Sequence, residues 1–399
     1  MTFPTTETSS SDQLRTKRII SIDMLRGLVM VLMVLDHVRI FFTNVRFRPT
    51  DLTQTNIPLF LTRWITHLCA PTFIFLAGVA VYLYFYNRPQ SKQELARYLI
   101  IRGLFLVFLE LTVVRFGWLF EPTYSFASAG VLWAIGWSMV VLAALIRMPI
   151  PLIAALGILL IGGHNLFDNI HYEQLGKWGW LWAIFHQPAM LTPFPNKNFF
   201  ITYPLIPWIG VMAIGYAFGR VFLWEKTLRQ QLLLRLGLGL LAGFVVFRAL
   251  NIYGDPYHWT VQKNLPYTIL SFINCHKYPP SLLFLLMTLG LSTLLLYLFE
   301  KQKWQIFKPL VLFGQVPLFF YIVHIWLVHF TAILLALPKY GVKAIILPFI
   351  VAPRMPADYG YDLPVIYNIW IITIILLYPL CSWFKNYRKK YPSKWLKYL

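Results

Sequence analysis

The chain has 399 residues, 58% of them hydrophobic and only 13% charged, with a mean hydropathy of +0.62. A soluble domain needs more polar surface than this, so the composition excludes one and points to an integral membrane protein. The net charge of +20 does not argue for nucleic acid, and no such partner is expected, because in a membrane protein excess Lys and Arg collect in short loops and tails.

The first 18 residues are polar and end in "RTKR". The apolar run that follows is too long for a signal-peptide core and lacks a small-x-small cleavage site, so it reads as an uncleaved signal anchor. A spanning helix needs about 20 apolar residues. Stretches that meet this are 19–42, 57–86, 98–120, 129–147, 149–166, 199–222, 231–250, 279–299, 309–337 and 366–385. The expected fold is therefore an all-α polytopic bundle of about 10–11 transmembrane helices. "VKAIILPFIVAP" (342–353) is too short to span and reads as re-entrant or interfacial, and the Trp-rich "WGWLWAIFHQPAML" (178–191) reads as lying in the interface plane.

Lys and Arg set the orientation. Basic residues at 15–18, in the loops 87–97, 223–230 and 300–308, and in "KNYRKKYPSKWLKYL" at the end all fall on one side if both termini are cytoplasmic. The loop 251–278, with Lys263 and Lys277, fits this less cleanly. The expected organisation is a cytoplasmic tail (1–18), one transmembrane domain (19–385) and a basic cytoplasmic tail (386–399) lying against anionic lipid. Cys69, Cys275 and Cys381 are too widely spaced for a metal or redox motif, and no disulfide framework is expected.

Ionisable groups at membrane depth are expensive and invite a functional reading. In "SIDMLRGLVMVLMVLDHVRIFF" (21–42), Asp23 and Arg26 stand at one end, and Asp36 and His37 at the other. Arg26 and His37 are close to three whole turns apart and share a face, roughly 16 Å along the axis. His67, Glu110 with Arg115, and His324 with His329 fall inside later spans, and Asp36, His37, His67, Glu110 and His324 share one depth band. A carboxylate beside an imidazole orients the ring and raises its basicity, as a general base requires. Asp36 is expected to do this for His37, or for His67 or His324 on a neighbouring helix. Glu110 and Arg115 read as a buried ion pair tying helices together. His324 and His329, five apart, suit no helical metal motif, and no metal is expected. Asp23 and Arg26 read either as an interfacial ion pair or as an arginine gripping a phosphate from the cytoplasm. In "YPLIPWIGVMAIGYAFGR" (203–220), Pro204 and Pro207 are expected to break a helix beside a cavity, and Tyr203, Trp208 and Tyr278 are candidates for its lining.

"SIDMLRGLVMVLMVLDHVRIFF" followed by "THLCAPTFIFLAGVAVYLY" resembles the catalytic domain of heparan-alpha-glucosaminide N-acetyltransferase and its bacterial relatives. "YPLIPWIGVMAIGYAFGR", "KYPPSLLFLLMTLG" and "FGQVPLFFYIVHIWLVH" are similar to later blocks of that family. The resemblance implies a polytopic acyltransferase of the bacterial inner membrane. It would carry acetyl from cytoplasmic acetyl-CoA, as co-substrate, to an extracytoplasmic sugar or glycan. In that reading Arg26, with Asp23 beside it, holds the CoA phosphates. His37 or His67 acts as general base, Asp36 orients it, and His324 polarises the acyl carbonyl or serves as a second base. The family's animal enzyme has its proposed catalytic histidine in the loop after the first span, whereas "TNVRFRPTDLTQTN" here has none.

The rival readings are a proton-coupled transporter or permease using the same buried Asp, Glu and His, and a non-catalytic relative that binds lipid or glycan. Membrane lipids are the expected surroundings, and a homodimer is compatible with every reading.

Overall fold

The fold is built from apolar helices whose ends are set by prolines, caps and charges. It is seen in a computed structural model that describes residues 18–88, 91–302, 307–345, 356 and 358–391. In chain order the helices are α1 (Ile20–Phe42), α2 (Ile57–Ile65), α3 (Cys69–Tyr86), α4 (Lys92–Leu109), α5 (Arg115–Leu119), α6 (Val131–Leu145), α7 (Ile150–Gly163) and α8 (Gly179–Phe185). They continue with α9 (Leu205–Phe218), α10 (Lys226–Leu250), α11 (Leu265–Ile273), α12 (Leu282–Lys301), α13 (Lys308–Gln315), α14 (Pro317–Tyr340) and α15 (Leu363–Lys390). Among the described residues, seven helical stretches are long and apolar enough to cross a membrane: 57–86, 150–167, 205–223, 226–250, 282–301, 317–344 and 363–390. Of the other three expected spans, α1 and α4–α5 carry more charge, and α6 is short and apolar. The protein is thus an all-α polytopic membrane protein. Exposed Val245, Val246 and Phe247 on α10, and Ile371, Ile372 and Ile375 on α15, form the apolar exterior that lipid requires.

Several expected spans are interrupted, each for a local reason. In 57–86, Pro71 has no N–H to give to the turn before it, and Thr66–Leu68 form a 3₁₀ turn between α2 and α3. In 309–337, Pro317 forces Val316 out of helical geometry (φ −130°, ψ 50°) and separates α13 from α14. In 98–120, Glu110–Val114 form a π-helical turn between α4 and α5, a rare feature that tends to mark functional sites. The helix expected to break at Pro204 and Pro207 instead begins there: Pro204 is the cap of α9, and the chain before it is a strand.

That strand belongs to a small sheet not anticipated from the sequence. β1 (Phe126–Ala129), β2 (Ala189–Phe194) and β3 (Lys197–Ile201) run in the order β1-β3-β2, β1 parallel and β2 antiparallel to β3. The Trp-rich stretch 178–191 is part helix, α8, with Trp178 and Trp180 exposed as an interfacial segment needs, and part strand. Of 342–353, only the first four residues are described, within a 3₁₀ turn (Gly341–Ile345); the rest lies outside the described residues, as do residues 1–17 and 392–399 of the two tails.

α1 is the central helix and packs against α3, α12, α13, α14 and α15. Its start and the end of α15 lie at the same end of the bundle. Arg26 donates to the Gly314 carbonyl (3.1 Å) and Arg388 to the neighbouring Gln315 carbonyl (3.0 Å). We call this the basic end. At the far end Thr43 pairs with Tyr361, and Asn44 donates to Asp362 (2.7 Å). α1 and α13 meet backbone to backbone: Gly27 faces the Leu310 backbone, and Gly314 faces that of Asp23. A Cβ at either position would overlap main-chain atoms, which cannot rotate away. Gly27→Ala and Gly314→Ala are each expected to lower stability by about 1–3 kcal/mol. Thermal unfolding in detergent measures this against Gly239→Ala, a position on α10 with nothing within 4 Å.

Candidate functional site

Three cavities run in series beside α1. The first, about 260 Å³, is lined by Met30, Met33, Phe73 and Val81, with Arg26, Arg102, Tyr84 and Tyr98 toward the basic end. The second, about 280 Å³, holds His37, Asp36, Glu110, Tyr203, Lys277 and Tyr278. The third, about 920 Å³, lies among the loops of the far end and is lined by Arg39, Arg48, Arg63, His67, His276 and Lys277. Met33, Phe73, Val131 and Tyr321 wall both the first and the second. Arg63, Thr202, Lys277 and Tyr278 wall both the second and the third.

His37 and His324 meet in the middle. His324 Nδ1 is 3.0 Å from the carbonyl oxygen of Phe320, one turn earlier on α14. A carbonyl only accepts, so Nδ1 carries the proton and Nε2 of the neutral ring carries the lone pair. That Nε2 lies 2.7 Å from His37 Nδ1, so His37 donates from Nδ1 and its own lone pair is left on Nε2. The His37 ring packs edge-on to Trp118, with centroids 4.8 Å apart, and forms part of the wall of the second cavity. The arrangement is a neutral imidazole of fixed tautomer in the cavity wall, with its lone pair on Nε2. His324 is fully buried and is absent from the cavity lining, so it positions His37.

Asp36 does not orient a histidine. Its carboxylate accepts from Arg39 (2.9 Å), one turn along α1, and from Arg63 on α2. Arg63 and Tyr278 both wall the second and third cavities. A carboxylate buried at this depth takes guanidinium partners first, because a charge-assisted pair offsets its desolvation better than a neutral ring does. His67 is likewise separate from the His37 pair. It sits on the 3₁₀ turn, its ring lies against Phe284 (5.3 Å), and it borders the third cavity instead.

Glu110 and Arg115 are not partners either. Glu110 accepts the Leu132 N–H (3.0 Å) and caps the N-terminus of α6 inside the bundle, where the orphan N–H groups need an acceptor. A Cβ at Gly130 would overlap the Glu110 carboxylate and displace it from this cap. Arg115 turns the other way, donating to the Phe126 carbonyl (2.9 Å) and to Glu121, with its guanidinium 4.1 Å over the Tyr124 ring. It fastens the 120–126 segment that leads into β1. His329 belongs to the same frame: Nδ1 faces the Gly117 carbonyl (2.9 Å) and its ring stacks on Phe120 (4.2 Å).

At the basic end, Asp23 is held by Arg18 (2.5 Å) and Arg26 (3.7 Å) and does not line a cavity; Arg26 does. The lining candidates divide similarly. Tyr203 and Tyr278 line the second cavity, their rings 5.3 Å apart, whereas Trp208 is wholly buried beside Tyr203. The sequence reading passed over Arg39, Arg63 and Lys277 as site residues. Their signal was present, since Arg39 is one turn from Asp36 and all three lie in or beside apolar stretches. Ser128, Gly130 and Thr202 carried no such signal, because only the small sheet brings them to the cavity.

Two outcomes follow. Asp36→Ala leaves two buried guanidinium groups without a counter-charge and is expected to cost about 3–5 kcal/mol, read by thermal unfolding in detergent. In the 120–126 segment, burial opposes ionisation of Glu121. Hydrogen bonds from Thr123 and Arg115 outweigh it and hold the carboxyl down at about 2, against an ordinary value of 4.5. Because the folded value is depressed, the stabilisation is present above the ordinary value and is lost as pH falls toward about 2. Acid-protease cleavage within 120–126 is expected to rise between about pH 4 and pH 2.

Residues 18–253 match the family model described as heparan-alpha-glucosaminide N-acetyltransferase, catalytic. A comparison with curated proteins finds no match. The family match takes in α1 to α10, and so His37, Asp36 and Glu110, and stops before the stretch that carries Lys277 and Tyr278 and before α14 with His324. The chain belongs to the heparan-alpha-glucosaminide N-acetyltransferase catalytic-domain family, and its general function is that of a membrane acetyltransferase.

Proposed function

We propose that the protein transfers an acetyl group from cytoplasmic acetyl-CoA to a sugar or glycan amine or hydroxyl on the opposite face of the bacterial inner membrane. His37 is the general base. The observation that supports this most is the series of three cavities with shared walls, with His37 in the middle one. The basic end is the cytoplasmic end, following the Lys and Arg distribution.

In this reading the CoA phosphates rest outside the first cavity near Arg26 and Arg102. The pantetheine arm lies along Met30, Met33 and Phe73, an apolar slot that suits an uncharged chain better than water does. The thioester reaches the second cavity. The acceptor enters through the third, where Arg48 and Lys277 add positive charge beyond that which Asp36 neutralises on Arg39 and Arg63. An acceptor bearing phosphate or carboxylate suits those walls.

The chemistry balances without a further reactant. The acceptor N–H or O–H gives its proton to His37 Nε2, and the nitrogen or oxygen bonds to the acyl carbon. The C–S bond breaks, and the CoA thiolate takes the proton back from His37. Tyr278, Tyr203 and Lys277 line the cavity, and in this reading their polar ends stabilise the oxyanion. His324 keeps His37 in the tautomer that presents a lone pair.

The test uses full-length protein in sealed vesicles with radiolabelled acetyl-CoA on the basic-end face and a panel of amino sugars and envelope glycans inside. Label is expected in an internal acceptor. His37→Ala is expected to reduce the rate about 10²–10⁴-fold, and His324→Ala to reduce kcat while leaving KM near its original value. Uptake driven by a proton gradient without any need for CoA would overturn the reading in favour of a permease.

A further inference from the structure

Among the described residues, His164, Asp168 and His186 form a cluster whose ligand atoms all lie within 4.8 Å of one another. They belong to neither the His37 pair nor the three cavities. His164 and His186 are each 2% exposed. Neither nitrogen of His164 has a hydrogen-bond partner, and Nδ1 of His186 has none. His186 Nε2 is 3.4 Å from Asp168 Oδ1. A buried imidazole with both nitrogens unsatisfied is costly, since each polar atom has given up water for nothing. Two imidazoles gathered with one carboxylate are the donor set of a divalent metal.

We propose that this cluster binds one zinc ion. Two imidazoles and a carboxylate are zinc's borderline donors, and three protein ligands leave a fourth position for water. His164 and Asp168 project from one 3₁₀ turn at the end of α7, and His186 caps α8. Their separation closes to zinc-ligand distances by small side-chain rotations. The surroundings match those of a metal site. Asn165 donates to the second Asp168 oxygen (2.8 Å) and fixes the carboxylate. Trp182 packs against the His186 ring (4.8 Å) and Phe167 lies edge-on to it (6.4 Å). Asp168 is the half-buried member and the route by which an ion enters.

The consequence reaches the cavities. Asn165 also accepts the Leu282 N–H (2.9 Å) at the start of α12. The metal therefore ties the ends of α7 and α8 to the segment that carries Lys277 and Tyr278. This runs against the expectation of no metal, which rested on the spacing of His324 and His329 and on the lack of a helical metal motif in the sequence.

The test is metal content by mass spectrometry on full-length protein purified without a histidine tag. About one zinc per chain is expected. His164→Ala combined with His186→Ala is expected to abolish it. If that variant does not fold, two measurements still decide. Asp168→Asn is expected to weaken zinc retention under chelator at least tenfold. Wild-type protein stripped of zinc and loaded with cobalt(II) is expected to show the intense visible absorption of a four-coordinate site. Zinc retained in full by the double variant overturns the proposal. So does wild-type protein that contains no zinc and takes up no cobalt, which would leave His186 and Asp168 as a plain ion pair.

Discussion

Asp36 is a carboxylate held between two guanidinium groups, and all three are largely buried. Removing a charge from water costs several kcal/mol, and only close opposite charge offsets it. The three groups are thereby obliged to stay together. Because Arg39 shares α1 with Asp36 and Arg63 comes from α2, that obligation sets α2 against α1. Arg63 shares the walls of the second and third cavities with Tyr278, on the segment before α12. The arrangement leaves an excess of positive charge on the wall between the second and third cavities.

The same constraint organises the rest of the middle layer through neutral and capping contacts. His37 and His324 join α1 to α14, and Glu110 joins the π-helical turn to the start of α6. Each is a polar group satisfied by one specific partner on another helix, and in a hydrocarbon-like interior an unsatisfied one is costly. A helix that starts at mid-depth needs such a cap, which is why irregular backbone at this depth occurs beside a cavity. The β1–β3 pairing brings Ser128 and Thr202 to that place.

The division of labour between the two histidines follows from one backbone carbonyl. Phe320 removes the choice of tautomer from His324, and His324 removes it from His37. The charged groups then lie to either side, Arg26 toward the basic end and Arg39, Arg63 and Lys277 toward the far end. That separation suits two polar reactants arriving from opposite faces more than it suits one solute passing through.

Most of the membrane character was legible in the sequence, because apolar length is a property of consecutive residues. The seven spans found among the described residues, and the placing of the start of α1 and the end of α15 at one end of the bundle, come from hydropathy and from Lys and Arg alone. The unusual residues were legible too: an Asp or His among leucines is conspicuous whatever surrounds it, and His37, Asp36, Glu110 and His324 all stand in the middle layer. Their partners were not legible. Asp36 with Arg63, Glu110 with the cap of α6, Arg115 with Glu121, and His164 with His186 are joined by packing between separate segments or by turns with no strong local signal. A helix places neighbours about 100° apart and says nothing of which helix comes to face them. The sequence by itself therefore determined the solvent this protein lives in and the conspicuous polar residues buried in it. Only the tertiary structure decided which of them touch, because a buried charge or imidazole takes the partner that satisfies it best, and that partner is seldom near in the chain.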